Sequence, residues 1–197
     1  MACAANRPDG PPDADLVIAA LYGDLRAFDE LALRYRSALL LVAGQITGRL
    51  FAAEDVVQDA LLLAFRALPQ LDDGRRFAPW LYAITRHRAL RYMEEEGRLL
   101  PRDPLDEFLI ANTRFLARDP LEILEEAERR QAFQQAIAAL APELQLVLGL
   151  YYWEEMSQQQ IADFLDAPLT TVKWRLHRAK RLLKRYLIRK EGRTHGR

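Results

Sequence analysis

From Asp24 onward the apolar residues Phe28, Leu31, Tyr35, Leu39, Val42 and Ile46 step by 3, 4, 4, 3 and 4. That spacing draws one face of a long amphipathic helix. A second run from about Ala53 to Leu68 turns Val57, Leu61, Ala64, Phe65 and Leu68 inward, and Pro69 with Asp72-Asp73-Gly74 ends it. A third begins near Phe77 and continues to about Glu96. Residues 13–96 are therefore expected as three or four helices in one compact domain. Strand alternation and internal repeats are both missing from the pattern.

The pattern breaks at residues 97–120, where Gly97, Pro101, Pro104 and Pro120 interrupt any helix. This stretch predicts a flexible linker with room for one short helix around Leu105–Ala117. At about 3.3 Å per residue it reaches on the order of 75 Å when extended. Helical periodicity then resumes over about 121–140, 142–154, 157–165 and 169–189. The expected fold class is all-α, two small helical domains at 13–96 and 121–190. A disordered leader (1–12) and tail (191–197) flank them.

Residues 157–183 read SQQQIADFLDAPLTTVKWRLHRAKRLL. Ser157 suits a helix N-cap, and Gln160 three residues later completes a capping box. Asp166-Ala167-Pro168 supplies a tight turn. In the next helix, with Thr170 or Thr171 at its cap, Val172, Leu176, Ala179 and Leu183 face inward. Lys173, Trp174, His177, Arg178 and Arg181 are left on the other face. A short helix, a tight turn and a second helix with a basic face make a unit suited to the DNA major groove. Thr171, Lys173, Trp174 and His177 are placed to read bases, and Arg178, Arg181 and Lys184 to grip phosphate. Trp174 has a second reading, packed on a neighbouring helix.

Charge sharpens this picture. The 197 residues balance 28 Lys+Arg against 28 Asp+Glu. Residues 169–197 nevertheless hold eleven Lys+Arg and one acid, Glu191, for +10, and residues 119–168 sum to −8. A separated basic end is the electrostatic footprint of a polyanion-binding surface. The single Cys3 excludes a disulfide framework and a Cys-based zinc site. The longest apolar run, around Ala38–Gly44, is far short of a membrane span, and the leader lacks a signal-peptide core. A soluble, cytoplasmic chain without cofactor or metal is expected.

Residues 75–92 read RRFAPWLYAITRHRALRY, with Arg75, Arg76, Arg86, Arg88 and Arg91 interleaved with Phe77, Trp80, Tyr82 and Tyr92. Aromatic rings stack on unpaired bases and Arg holds phosphate, which suits single-stranded nucleic acid. The same spacing is compatible with Trp80, Leu81 and Ile84 as core and the arginines as a solvated rim.

Taken in order, AFDELALRYR at 27–36, EDVVQDALLLAFRAL at 54–68 and FAPWLYAITRHRAL at 77–90 resemble the first domain of the extracytoplasmic-function (ECF) sigma factors of bacteria. LAPELQLVLGLYYWEEMSQQQIADFL at 140–165 and LTTVKWRLHRAKRLL at 169–183 resemble the last. The resemblance covers about residues 14–190; the helix-turn-helix by itself also resembles LuxR-type regulators. It implies a subunit that binds core RNA polymerase, directs it to promoters and helps open the duplex. It also implies specific roles. Asp55, Gln58, Asp59 and Arg66 become polymerase contacts, where the residues alone read as a solvated helix face. Arg75, Arg76, Phe77, Trp80, Arg86, His87, Arg88 and Arg91 become the segment that captures and melts the −10 element. Thr170, Thr171, Lys173, Trp174, His177, Arg178 and Arg181 become the −35 readers on duplex DNA. An anti-sigma factor is the implied regulator, with no direct membrane insertion. Two positions depart from the family pattern, His87 where many relatives carry Asn and Trp174 where a small residue is usual; both bear on promoter choice.

Catalysis has little support in the sequence. His87, His177 and His195 are scattered, and no HExxH, nucleophile elbow or Gly-rich phosphate loop occurs. Asp55 and Asp59 at i, i+4 lack a His partner and read as solvation. The rival to a sigma factor is a polymerase-independent helix-turn-helix regulator, which predicts tight duplex binding by the free protein as a dimer on palindromic sites.

Overall fold

A computed structural model describes residues 10–96, 131 and 133–194, the last eight of these as backbone only. The described residues are helical, without strands. Helices α1 (Asp13–Leu21), α2 (Leu25–Thr47), α3 (Leu50–Ala67) and α4 (Phe77–Glu95) form the first module. Two 3₁₀ turns, Leu68–Gln70 and Gly74–Arg76, lie between α3 and α4. The second module holds helical residues 133–138, then α5 (Pro142–Tyr152), α6 (Gln158–Phe164) and α7 (Leu169–Thr194). The linker and most of the helix expected at 121–140 lie outside the described residues.

Local chemistry explains the boundaries. Asp24 caps α2 by accepting from the Arg26 N–H at 3.0 Å, and Gly48 ends it in the left-handed region at φ 69°. α1 is tied to α2 by Asp13, which accepts from Arg34 Nη1 at 2.6 Å and from the Tyr35 hydroxyl. Ser157 and Gln160 form the expected capping box at the start of α6. α6 ends in a Schellman motif, the Ala167 N–H reaching the Ala162 carbonyl at 2.9 Å while Asp166 takes φ 48°. An aspartate tolerates that left-handed position. The cap expected from Thr170 or Thr171 is corrected. The Pro168 carbonyl accepts the first helical bonds, from the Thr171 and Val172 N–H groups, so both threonines lie inside the first turn of α7. α7 also runs to Thr194, past the boundary expected at 190.

The buried apolar residues of both modules form one cluster. Leu31, Leu39, Val56, Phe77 and Leu81 centre it in the first module, and Val147, Leu150, Ile161 and Val172 in the second. α5 lies on α2, and α6 lies on α4.

Candidate nucleic-acid interface

The two faces of α7 divide as its spacing predicts. Val172, Leu176, Ala179 and Leu183 are buried against the module, which turns the intervening residues outward. Thr170, Lys173, Trp174, His177, Arg178 and Arg181 are exposed, and Thr171 is half-buried. Trp174 is 56% exposed, which decides between its two readings: it stands on the outer face. The Arg178 guanidinium lies 5.2 Å from its ring centre, a cation–π pair that orders both side chains on the outer face. Further along, Lys180 lies over Tyr151 at 4.8 Å and Tyr152 at 5.4 Å, so this cation is turned toward its own module.

In the first module the basic segment starts at a rigid turn. The Asp73 carboxylate accepts from the Arg75 backbone N–H at 2.9 Å and from Arg75 Nε at 3.2 Å. The backbone hydrogen bond from Arg75, then its side-chain hydrogen bond, hold that carboxyl below the usual carboxylate value of 3.8. Gly74 allows α1 to press on this turn: a Cβ there would lie 3.0 Å from Ala14 Cα and 3.3 Å from Val17 Cβ. Arg75 and Arg76 are thereby presented outward, their side chains 81% and 64% exposed. Arg86, His87 and Arg91 are exposed along α4, and Trp80 is half-buried.

Phe77 is a correction. It is fully buried, packed between Tyr35 at 5.9 Å and Trp80 at 5.9 Å, and is a core residue rather than a base contact. It begins the inward stripe of α4 that continues through Leu81, Thr85 and Ala89. Arg88 is only partly available, because its Nη2 and Nε reach Asp59 Oδ2 at 2.7 and 3.0 Å. That hydrogen bond raises the Arg88 guanidinium above its ordinary value and fixes it in the charged form.

Asp55, Gln58 and Arg66 are exposed on α3, and Asp59 is half-buried. The structure adds Leu62 and Leu63 to this face, 51% and 45% exposed. Together with Asp59 and Arg66 they form one wall of a shallow groove of about 350 Å³. The other wall is His87, Arg88, Arg91 and Glu95 of α4. The groove thus joins residues read as polymerase contacts to residues read as −10 contacts. A single inward face on α3 leaves Leu62 and Leu63 unplaced; the unbroken Leu61-Leu62-Leu63 run is the signal that one face cannot hold them all.

Known proteins match these same two units. The family model for Sigma-70 region 2 matches residues 31–99, and that for Sigma-70 region 4 matches residues 130–183. The RNA polymerase sigma-H factor of Pseudomonas aeruginosa is 30% identical over 183 residues, covering 89% of this chain and 93% of its own. The ECF RNA polymerase sigma-E factor of Escherichia coli K12 is 29% identical over 175 residues, covering 85% and 90%. Among solved structures, CnrH in complex with the cytosolic domain of CnrY superposes with a TM-score of 0.59 at 25% identity, over 90% of this chain and 97% of that one. The sigma factor RpoE of Bartonella quintana, in complex with the anti-sigma factor NepR, gives 0.56 at 21% identity, over 83% and 98%, a likeness of fold. With both region models matched in order and a sigma factor 30% identical over nearly its whole length, the chain belongs to the sigma-70 family, as an ECF sigma factor.

Proposed function

We propose that this sigma factor works as two modules, residues 13–96 on core polymerase and the −10 element and residues 121–190 on the −35 element. The observation that carries this is the outward basic face of α7, with Lys173, His177, Arg178 and Arg181 exposed on a buried apolar stripe. Thr170, Lys173, Trp174 and His177 read the duplex, Thr171 supports the start of that helix, and Arg178 and Arg181 hold phosphate. In the first module Arg75 and Arg76 grip the strand leaving the duplex, Trp80 offers an edge for stacking, and Arg86, His87 and Arg91 line its path. Asp55, Gln58, Asp59 and Arg66, with Leu62 and Leu63 between them, dock on core polymerase. Catalysis in this reading belongs to the polymerase, and the site of action is the cytoplasm. Among the described residues no helix is long and apolar enough to cross a membrane. An anti-sigma factor is the expected regulator, covering the faces that polymerase and DNA use.

Run-off transcription with purified core polymerase, with and without the protein, tests this on fragments of its own genome. Promoter-specific transcripts only in its presence are expected, at sites without palindromic symmetry. Absence of initiation together with a tight duplex shift by the free protein would replace this reading with an independent regulator.

A further inference from the structure

Among the side chains that α7 turns outward near its start, Trp174 is the one with a large apolar surface. Its outward neighbours Thr170, Lys173 and His177 carry a hydroxyl, an ammonium and an imidazole, all well solvated by water. Indole carbons have no such solvation, so holding the residue 56% exposed costs free energy that burial against a partner returns. The ring is also held in place. Arg178, at i+4, sets its guanidinium 5.2 Å from the ring centre. Four residues at about 1.5 Å each separate the two along the helix axis by about 6 Å, close to two base-pair steps of about 3.4 Å. In a helix-turn-helix the first residues of the second helix meet base edges, and residues further along meet the backbone. Arg178 on a phosphate therefore fixes the indole against the edge of a base pair.

That edge decides what the ring can recognise. In a duplex the faces of the bases are stacked, so a helix in the major groove meets edges alone. Those edges carry hydrogen-bonding groups, with one apolar exception, the C5-methyl group of thymine. Ring carbons set against the N4 amino group of cytosine or the O6 of guanine displace water and return no hydrogen bond, which costs free energy. Set against the thymine methyl group, they bury carbon on carbon. The indole N–H adds one donor, and because both kinds of base pair offer it an acceptor, the contrast between them stands.

We propose that Trp174 is a thymine reader: its indole, ordered by Arg178, packs on the C5-methyl group of one thymine in the −35 element. This rests on the reading of α7 as the −35 helix given above, and it assigns an A·T pair to the position that faces Trp174. The recognised group is the methyl itself, so 5-methylcytosine satisfies the contact and cytosine does not.

The test uses holoenzyme reconstituted with core polymerase, and a −35 duplex from a start site mapped by run-off transcription. Each thymine of the element, on either strand, is replaced in turn by deoxyuridine, which removes the methyl group and keeps every hydrogen-bonding group. At one position the unaltered protein is expected to lose about fourfold in affinity, the worth of burying one methyl group. Trp174→Ala is expected to lose nothing there, while Trp174→Phe, which keeps a ring, retains most of the loss. At the same position 5-methylcytosine is expected to outbind cytosine by a similar factor with the unaltered protein, and by none with Trp174→Ala. Helicity by circular dichroism is expected to be the same in all three proteins. Holoenzyme that ranks −35 duplexes but tolerates deoxyuridine at every position overturns the thymine contact alone. So does a loss of equal size in Trp174→Ala, or a −35 element without an A·T pair. Holoenzyme that binds every −35 duplex equally overturns the reading of α7, and this proposal with it.

Discussion

Phe77 and Arg76 are chain neighbours with opposite work, and the difference is a matter of which way each side chain faces. Phe77 is fully buried, so Phe77→Ala is expected to cost about 3–5 kcal/mol of stability, read as a fall in thermal midpoint. Arg76 is 64% exposed and its bridge to Asp166 is a surface pair worth about 0–1 kcal/mol. Arg76→Ala is accordingly expected to leave the midpoint almost unchanged and to slow run-off on duplex templates more than on pre-melted ones. The sequence made Phe77 look like part of an aromatic and basic cluster because composition carries no direction. Its helical partners Leu81, Thr85 and Ala89 carry the direction, and the period they share places it inside. The neighbouring Asp73 has a pH signature whose sign follows from its depressed pKa. A carboxyl held below 3.8 by hydrogen bonds from Arg75 contributes stability fully present above that value and lost as pH falls through the lower folded-state value. The turn that presents Arg75 is therefore expected to be insensitive to pH from 5 to 9. Amide exchange at Arg75 that accelerates between pH 6 and 5, beyond the intrinsic rate, would contradict the cap.

At the scale of elements, most of the fold was legible because periodicity, proline and capping agree. The box at Ser157 and Gln160, the stop at Pro69 and the inward stripe of α7 were all readable from residue type and spacing. The start of α7 was not. Threonine is a good cap residue, but a carbonyl has already accepted the first helical bonds at Pro168, and residue preference carries no record of that. The correct start matters for function, since it places Thr170 in the first turn beside Lys173 and Trp174. The basic face of α7 makes a quantitative prediction. If Arg178 and Arg181 each neutralise one phosphate, replacing both by Ala lowers the slope of log affinity against log salt by about 1.8, at about 0.9 per contact. Titration of the holoenzyme on a −35 duplex across salt concentrations measures it. Trp174→Ala is expected to leave that slope alone and change the ranking of −35 variants, because an uncharged ring releases no counterions.

The whole molecule is where sequence reading stopped short, and the reason lies in one stretch of α2. Leu39, Leu40, Leu41, Val42 and Ala43 are all buried, so this helix is covered on more than the single face that the stepping from Phe28 to Ile46 defines. A helix apolar all round must be enclosed. Periodicity says that a second cover is needed; it does not say that α5, a hundred residues onward, supplies it. Gly149 completes the argument from the other side. In a helix body glycine is less favourable than alanine by about 1 kcal/mol, so α5 alone is weakened by it, and close approach to Leu41 is what offsets the loss. Two modules that share one core unfold together; modules that are only tethered unfold apart. The tryptophans allow this to be seen, since Trp80 belongs to the first module while Trp153 and Trp174 belong to the second. In a Trp80→Phe background, fluorescence reports the second module and far-ultraviolet circular dichroism reports all the helices. With α5 seated on α2, denaturant curves from the two probes are expected to coincide. In Gly149→Leu the same curves are expected to separate, with fluorescence following α5 to α7 alone, because the substitution strengthens α5 as a helix while removing its seat on α2. Coincident curves in both proteins would mean that the second module has no stability of its own; separated curves in both would mean that docking adds none.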